Sequence, residues 1–310
     1  MTRAQRVAID ALLRRPRPRP RDVAELRTGF ATLMSQMRIA EGVRRSDTTL
    51  AGRRAVLVEA ARAQRPGTIL YLHGGSGVIG SPETAMCLTA ALVARTGVRA
   101  LSLDYRLAPE HPFPAGLDDV LAAYRALLDG GAEAESVVVA GDSAGGGLAV
   151  GALLLARDAG VSMPAAVVAF SGGFDYTRTG ASMDGKAGQD PLFTRDSLGV
   201  TAAMYLGGAE PDQPLLSPAT RADLRGFPPM LLQVGTNELL LDDSTRLAAR
   251  ACAAGVDVVL DITADAPHVF QAFTGLLDEA DEALDRAALF LSQRLGRAAR
   301  PPADVVSLAR

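Results

Sequence analysis

The chain has 310 residues, of which 48% are hydrophobic, 22% charged and 5% aromatic, with a net charge of −3. This is ordinary globular usage with enough chain for one large domain or two average ones, and it excludes a disordered or fibrous protein and a small scaffold that needs staples. Charge is unevenly placed, +9 over residues 1–66 and −12 over the rest, but the Arg-rich start lacks interleaved aromatics and any nucleic-acid motif, so a solvated connector is expected and nucleic-acid binding is not.

Residues 3–14 and 22–42 read as helices, separated by a Pro-Arg run at 16–20 that cannot sustain helical hydrogen bonding. From Thr48 the period changes, and TTL, Ala-Gly, RRAVLVEA reads as an antiparallel hairpin. Short β-rich runs follow at 68–73, 98–104, 136–141, 165–170, 229–235 and 256–262, with helix-forming segments between most of them. That alternation predicts an α/β fold, a central, mostly parallel sheet flanked by helices. The nearly sixty residues between Phe170 and Pro229 are too many for a simple crossover. They predict a helical insertion at 177–225 which, with N-terminal helices at 1–45, roofs the strand ends as a helical cap. The catalytic domain is then 46–176 and 226–310.

The longest apolar stretch, 137–156, is broken by Asp142 and glycines, and the first residues hold no signal-peptide core, so neither a membrane span nor secretion is expected. Cys87 and Cys252 are too few for a disulfide framework and lack metal-ligand spacing. Both facts suit a reducing, cytoplasmic setting. The oligomeric state stays open, a homodimer included.

The strongest local signal is Gly141-Asp142-Ser143-Ala144-Gly145, set between an apolar run and a small-residue helix. A serine on such a strand-to-helix turn exposes its hydroxyl, and the helix N-terminus stabilises negative charge beside it, the Ala144 N–H being best placed to donate. The hydroxyl needs a base, normally a histidine held by a carboxylate. Of His73, His111 and His268, only His268 follows the serine, in the order Ser, acid, His expected where the nucleophile ends a central strand. Glu238, three residues past the run 229–235, is the first candidate acid, with Asp242 second. The glycine-rich His73-Gly74-Gly75-Ser76-Gly77 after a strand supplies an oxyanion hole from Gly74, Gly75, Ser76 and Ala144, with Gly75 and Ser76 N–H groups donating and Gly74 shaping the loop. A competing reading takes Gly75 to Gly80 as a GxGxxG dinucleotide fingerprint with Asp104 as its acid; Ser81-Pro82 stands against it, falling where that motif wants helix.

With HGG at 73–75 followed by Val78-Ile79-Gly80, the stretch Asp104-Tyr105-Arg106-Leu107-Ala108-Pro109-Glu110-His111-Pro112-Phe113-Pro114-Ala115, GDSAGG at 141–146, and His268 with Phe270, the chain resembles the hormone-sensitive lipase family of α/β-hydrolase esterases, GDSAG-type branch, over residues 45–295. The resemblance implies a Ser143–Glu238–His268 triad, an oxyanion hole from Gly75, Ser76 and Ala144, and a helical cap. Two departures stand out. Ser76-Gly77 replaces the usual Gly and bulky residue, which predicts a roomier pocket, and Glu238-Leu239-Leu240 replaces the usual Asp-Pro-Leu. Asp104, Arg106 and Glu110 are expected to be structural.

The expectation is a serine carboxylesterase that hydrolyses short to medium acyl esters of small molecules through an acyl-enzyme, with no cofactor and no metal. A lactonase or deacetylase on the same triad, or a non-catalytic ligand-binding receptor of the same fold, are the alternatives.

Overall fold

The computed structural model describes residues 3–16 and 20–295; most of the Pro-Arg run, and residues 296–310 at the end of the expected catalytic domain, lie outside the described residues. Two helices, α1 (Arg3–Leu13) and α2 (Val23–Met34), lead into the hairpin β1 (Val43–Leu50) and β2 (Arg53–Ala60). The turn between these strands is Ala51-Gly52, both with positive φ, whose twist matches that of the flanking strands. Then come β3 (Arg65–Leu72), α3 (Met86–Thr96), β4 (Val98–Leu103), α4 (Ala115–Asp129), β5 (Val137–Asp142), α5 (Ala144–Asp158) and β6 (Ala166–Phe170). Three helices follow, α6 (Ser182–Gly185), α7 (Arg195–Leu206) and α8 (Pro218–Arg221), before β7 (Met230–Gly235), α9 (Leu241–Ala253), β8 (Val258–Thr263) and α10 (Asp278–Leu295).

The eight strands form one sheet in the order β1-β2-β4-β3-β5-β6-β7-β8, antiparallel from β1 to β4 and parallel from there on. Its central strands are apolar without alternation because both faces are covered. Leu70, Leu72, Val137, Val139, Val167 and Leu232 join the core under α4, α5 and α9. Their neighbours Ile69, Tyr71, Val138, Val168, Phe170 and Leu231 join the core under α3 and α10. From β3 the chain moves outward to β4 and then back past β3 to β5. The carboxyl ends of β3 and β5 therefore flank the point where strand order reverses, the natural crevice of such a sheet.

Two expectations are corrected. Asp22 caps α2 by accepting from the Glu25 N–H, but the helix ends at Met34 and not at 42. None of its own residues is buried, whereas Met37, three residues past its end, is. The insertion at 177–225 is helical only in α6, α7 and α8. Elsewhere aspartate side chains satisfy its backbone: Asp175 accepts from the Thr177 and Thr179 N–H groups, Asp190 from those of Leu192 and Phe193. Local side-chain acceptors of this kind compete with helix.

Both flanking segments lie against the site end of the sheet. Arg27 of α2 donates to the carbonyls of Val78 and Ala108 and pairs with Glu110. Arg14 donates to the carbonyls of Gly188 and Gln189, and Arg6 pairs with Asp265 near the His268 loop. Among the described residues, no helix is long and apolar enough to cross a membrane.

Candidate active site

The turn from β5 into α5 holds Ser143 at φ 51°, ψ −121°, a conformation sparsely populated by non-glycine residues, directly at the N-terminus of α5. The Ser143 N–H donates to the Phe170 carbonyl at 2.8 Å, tying the turn to β6. Gly145 allows the helix to start against β3: a Cβ there would lie 2.0 Å from the Leu72 carbonyl oxygen. The strain is held by packing on both sides, which presents the hydroxyl above the strand ends.

His268 follows β8 and Glu238 follows β7, and the structure brings both to Ser143. His268 Nε2 lies 2.9 Å from Ser143 Oγ, and His268 Nδ1 lies 2.7 Å from Glu238 Oε2. All three side chains are buried. The other Glu238 oxygen accepts from the Gly235 N–H at 2.7 Å and the Ser171 hydroxyl at 2.8 Å. Both lone-pair faces of the carboxylate are thus used, and Nδ1–H is the donor that completes it. Burial pulls the imidazole down, but the Glu238 charge and hydrogen bond, with the charges of Asp190 and Asp142 behind them, outweigh it and leave His268 above its ordinary value.

Asp242 and Asp243 stand in the first turn of α9 and serve other partners. Asp242 accepts from the Ser182 N–H at 2.9 Å. Asp243 accepts from the N–H groups of Phe174 and Asp175, with Arg178 3.7 Å away, and its burial pushes its carboxyl up to about 7. Asp175 is itself fully buried and bonded to Arg246, so this whole group anchors the start of the insertion.

The loop after β3 runs beside the serine: a Cβ on Gly74 would sit 3.1 Å from Ser143 Cβ. The N–H groups of Gly75, Ser76 and Ala144 make no hydrogen bond to another described residue. His73 anchors the loop from below. It is fully buried, stacked on Tyr105 at 4.2 Å, and its backbone carbonyl accepts from the Tyr105 hydroxyl at 2.6 Å. Burial lowers its imidazole to about 4, so it stands neutral. Asp142, buried beneath the loop, accepts from the Tyr71 hydroxyl at 3.0 Å. Burial raises its carboxyl to about 6 against the lowering influence of Tyr71, His268 and the Gly74 amide.

The expected roominess at Gly77 is not there. A Cβ at Gly77 would lie 2.4 Å from the ring of Tyr205, which comes from α7, stacks on Tyr176 at 5.3 Å and meets Phe113 edge-on at 6.3 Å. The insertion supplies the bulk that residue 77 lacks. The dinucleotide outline also dissolves: Val78 and Ile79 N–H groups fold back on the Gly75 carbonyl, helix α3 begins only at Met86, and Asp104 is held by Arg54. Arg106 and Glu110 pair with Asp119 and Arg27. No group of three or more His, Cys, Asp or Glu side chains among the described residues is placed to hold a metal.

Three neighbours of the site have no local signature in sequence. Ser171, fully buried with φ 49°, bonds Glu238 and also accepts from the Val269 N–H beside His268. Phe193 of the insertion lies edge-on to the His268 ring, centroids 4.9 Å apart. Asp190 bonds the Leu239 N–H next to Glu238.

The chain is similar to known α/β-hydrolases. A family of α/β-hydrolase fold matches residues 69–272. An acetyl-hydrolase of Streptomyces hygroscopicus is 43% identical over 229 residues, 74% of this chain and 76% of that protein. An esterase of Acinetobacter venetianus is 35% identical over 231 residues, again 74% and 76%. The crystal structure of an esterase from the bacterial hormone-sensitive lipase family superposes with a TM-score of 0.92 at 39% identity, covering 96% of this chain and all of that one.

Proposed function

The chain belongs to the α/β-hydrolase fold family, in its hormone-sensitive lipase branch, and from that premise we propose that it is a serine carboxylesterase using Ser143, His268 and Glu238 on short to medium acyl esters. Relatives named esterase and acetyl-hydrolase support ester hydrolysis. The observation that carries the residue roles is the continuous hydrogen-bonded line from Ser143 Oγ through both nitrogens of His268 to a fully satisfied Glu238 carboxylate.

Ser143 Oγ attacks the ester carbonyl carbon as its proton passes to His268 Nε2. Charge on the former carbonyl oxygen is met by the N–H groups of Gly75, Ser76 and Ala144 and by the N-terminus of α5, donors that need no reorganisation at the moment of reaction. The tetrahedral intermediate collapses, the C–O bond to the alcohol breaks, and His268 returns the proton to the leaving oxygen. Water then attacks the acyl-enzyme, giving its proton to His268, and the carboxylic acid leaves as Ser143 recovers its hydrogen. Glu238 fixes the tautomer with the proton on Nδ1 throughout.

Residues 1–45 and 177–225 act as the cap in this reading, since α2 bonds the loop bearing Gly75 and α7 places Tyr205 over Gly77. Filled space at Tyr205 favours small acyl groups, as does the acetyl-hydrolase name of one relative. The two cysteines are unpaired, which suits the cytoplasm. Hydrolysis of p-nitrophenyl esters from acetate to long chains by wild type, Ser143→Ala, Glu238→Ala and Asp242→Ala tests the reading. Ser143→Ala should lose about 10⁴-fold or more in turnover, Glu238→Ala should be severely impaired and Asp242→Ala mildly. Folded wild type without serine-dependent turnover on any ester would refute it and favour a ligand-binding receptor.

A further inference from the structure

Asp190 is a buried carboxylate outside the proposed chemistry, 5% exposed in the irregular part of the insertion. Its two oxygens face different parts of the molecule. Oδ1 accepts from the N–H groups of Leu192 at 2.8 Å and Phe193 at 2.9 Å, the turn that carries the ring lying against His268. Oδ2 accepts at 2.9 Å from the N–H of Leu239, the residue directly after Glu238. The apolar side chains around this link, Met183, Leu198, Leu239 and Leu240, form a small cluster of their own with Phe193, apart from the two main cores.

We propose that Asp190 is a positioning residue for the acid–base pair, clamping the backbone next to Glu238 and the turn bearing Phe193 so that carboxylate and covering ring stand correctly on either side of His268. The inference rests on the triad reading above. A carboxylate suits the place because all three partners are donors, and it offers acceptors in both directions. Glu238 is already held from β7 by Gly235 and from the end of β6 by Ser171; Asp190 adds a hold from the insertion. The same bond makes the cap segment part of the catalytic geometry. Three carboxylates bear on the His268 charge: Glu238 from the loop after β7, Asp190 from the insertion, and Asp142 from the end of β5.

Asp190→Asn keeps the shape and removes one side of the clamp. Its carbonyl can serve Leu192 and Phe193, but its amide nitrogen then meets the Leu239 N–H, donor against donor. With Glu238 freed to drift, kcat on p-nitrophenyl acetate should fall about 10- to 100-fold, the scale of a small misplacement of a catalytic group, with KM within about twofold. The acid limb of kcat/KM should move to lower pH, because one of the charges raising His268 is gone. Phe193→Leu leaves the clamp intact and removes the ring; it should lower kcat and move the acid limb upward, because burial is the main influence depressing His268. A residue that merely stabilises the fold would leave the plateau kcat of the folded variant unchanged, even where loss of its charge moves the acid limb. Folding of each variant is checked by circular dichroism, with Ser143→Ala measured alongside. Serine-dependent turnover with plateau kcat unchanged in folded Asp190→Asn overturns the inference alone, whichever way the acid limb moves. Turnover that survives Ser143→Ala overturns the triad reading and the inference with it. If Asp190→Asn does not fold, Asp190→Glu decides: it keeps the charge and both acceptors but lengthens the arm, so kcat should fall with the acid limb little moved, and an unchanged kcat overturns the proposal.

Discussion

Replacing Glu238 by glutamine should disable the base while leaving the fold almost untouched. Glu238 is fully buried, and its Oε1 receives the Gly235 N–H and the Ser171 hydroxyl while Oε2 receives His268 Nδ1–H. A glutamine in the same place must put its carbonyl oxygen where Oε1 stands, because the backbone N–H of Gly235 can only donate. Its amide nitrogen then faces His268 as a donor, so Nδ1 must accept and the imidazole proton moves to Nε2. That proton points at Ser143 Oγ, 2.9 Å away, and leaves no lone pair to receive the serine proton. The wrong tautomer in a serine triad costs about 10⁴ in kcat, or about 5.5 kcal/mol of barrier at 1.36 kcal/mol per factor of ten. Volume is conserved and two of the hydrogen bonds keep their sense, so unfolding free energy should change by no more than about 1 kcal/mol. Steady-state kinetics on p-nitrophenyl acetate, paired with urea denaturation, reads both quantities. A folded Glu238→Gln enzyme with kcat within tenfold of wild type would refute the argument.

Further consequences can be measured the same way. His268 stands net above its ordinary 6.5 and must be neutral to accept the serine proton, so kcat/KM should be full at higher pH and lost as pH falls through a midpoint above 6.5; a midpoint below that value would contradict the charge balance described. Gly77→Ala should cost about 1–2 kcal/mol for a left-handed L-residue and about 1–3 kcal/mol for displacing Tyr205. In a Tyr205→Ala background only the backbone cost should remain, and strict additivity in urea denaturation would show that the ring does not occupy that space. Ser171→Ala removes a donor from Glu238 and leaves the Val269 N–H beside His268 without its acceptor. It should lower kcat about 10- to 100-fold, the worth of a hydrogen bond to a charged group, and an unchanged kcat would refute a positioning role for Ser171.

What the sequence made legible follows from how local each signal is. Ser143 announces itself because a strained nucleophile turn needs small residues on both sides within five positions, next to a strand and a helix that are themselves periodic. His268 follows from chain order once the serine is placed, and Glu238 from its distance past a recognisable strand end. The strands of the sheet are legible because burial on both faces imposes apolar runs bounded by turns. Asp190, Ser171 and Phe193 are not, since each matters only through a partner brought close by the fold. Gly77 shows the same limit from the other side: its missing side chain suggests space, but the residue that fills it arrives from α7. The insertion misreads as more helical than it is because Asp175 and Asp190 turn onto backbone N–H groups a few residues on, local bonds that compete with helix and that apolar periodicity does not register.

The most direct test of the central claim is where the acyl group goes. Wild-type protein mixed briefly with p-nitrophenyl acetate, quenched in acid and mapped by peptide mass spectrometry should carry one acetyl group on Ser143, released on longer incubation before the quench, and Ser143→Ala should carry none. Acetyl on a different residue, or rapid turnover by the wild type with Ser143→Ala equally active, would contradict the assignment of Ser143 as nucleophile.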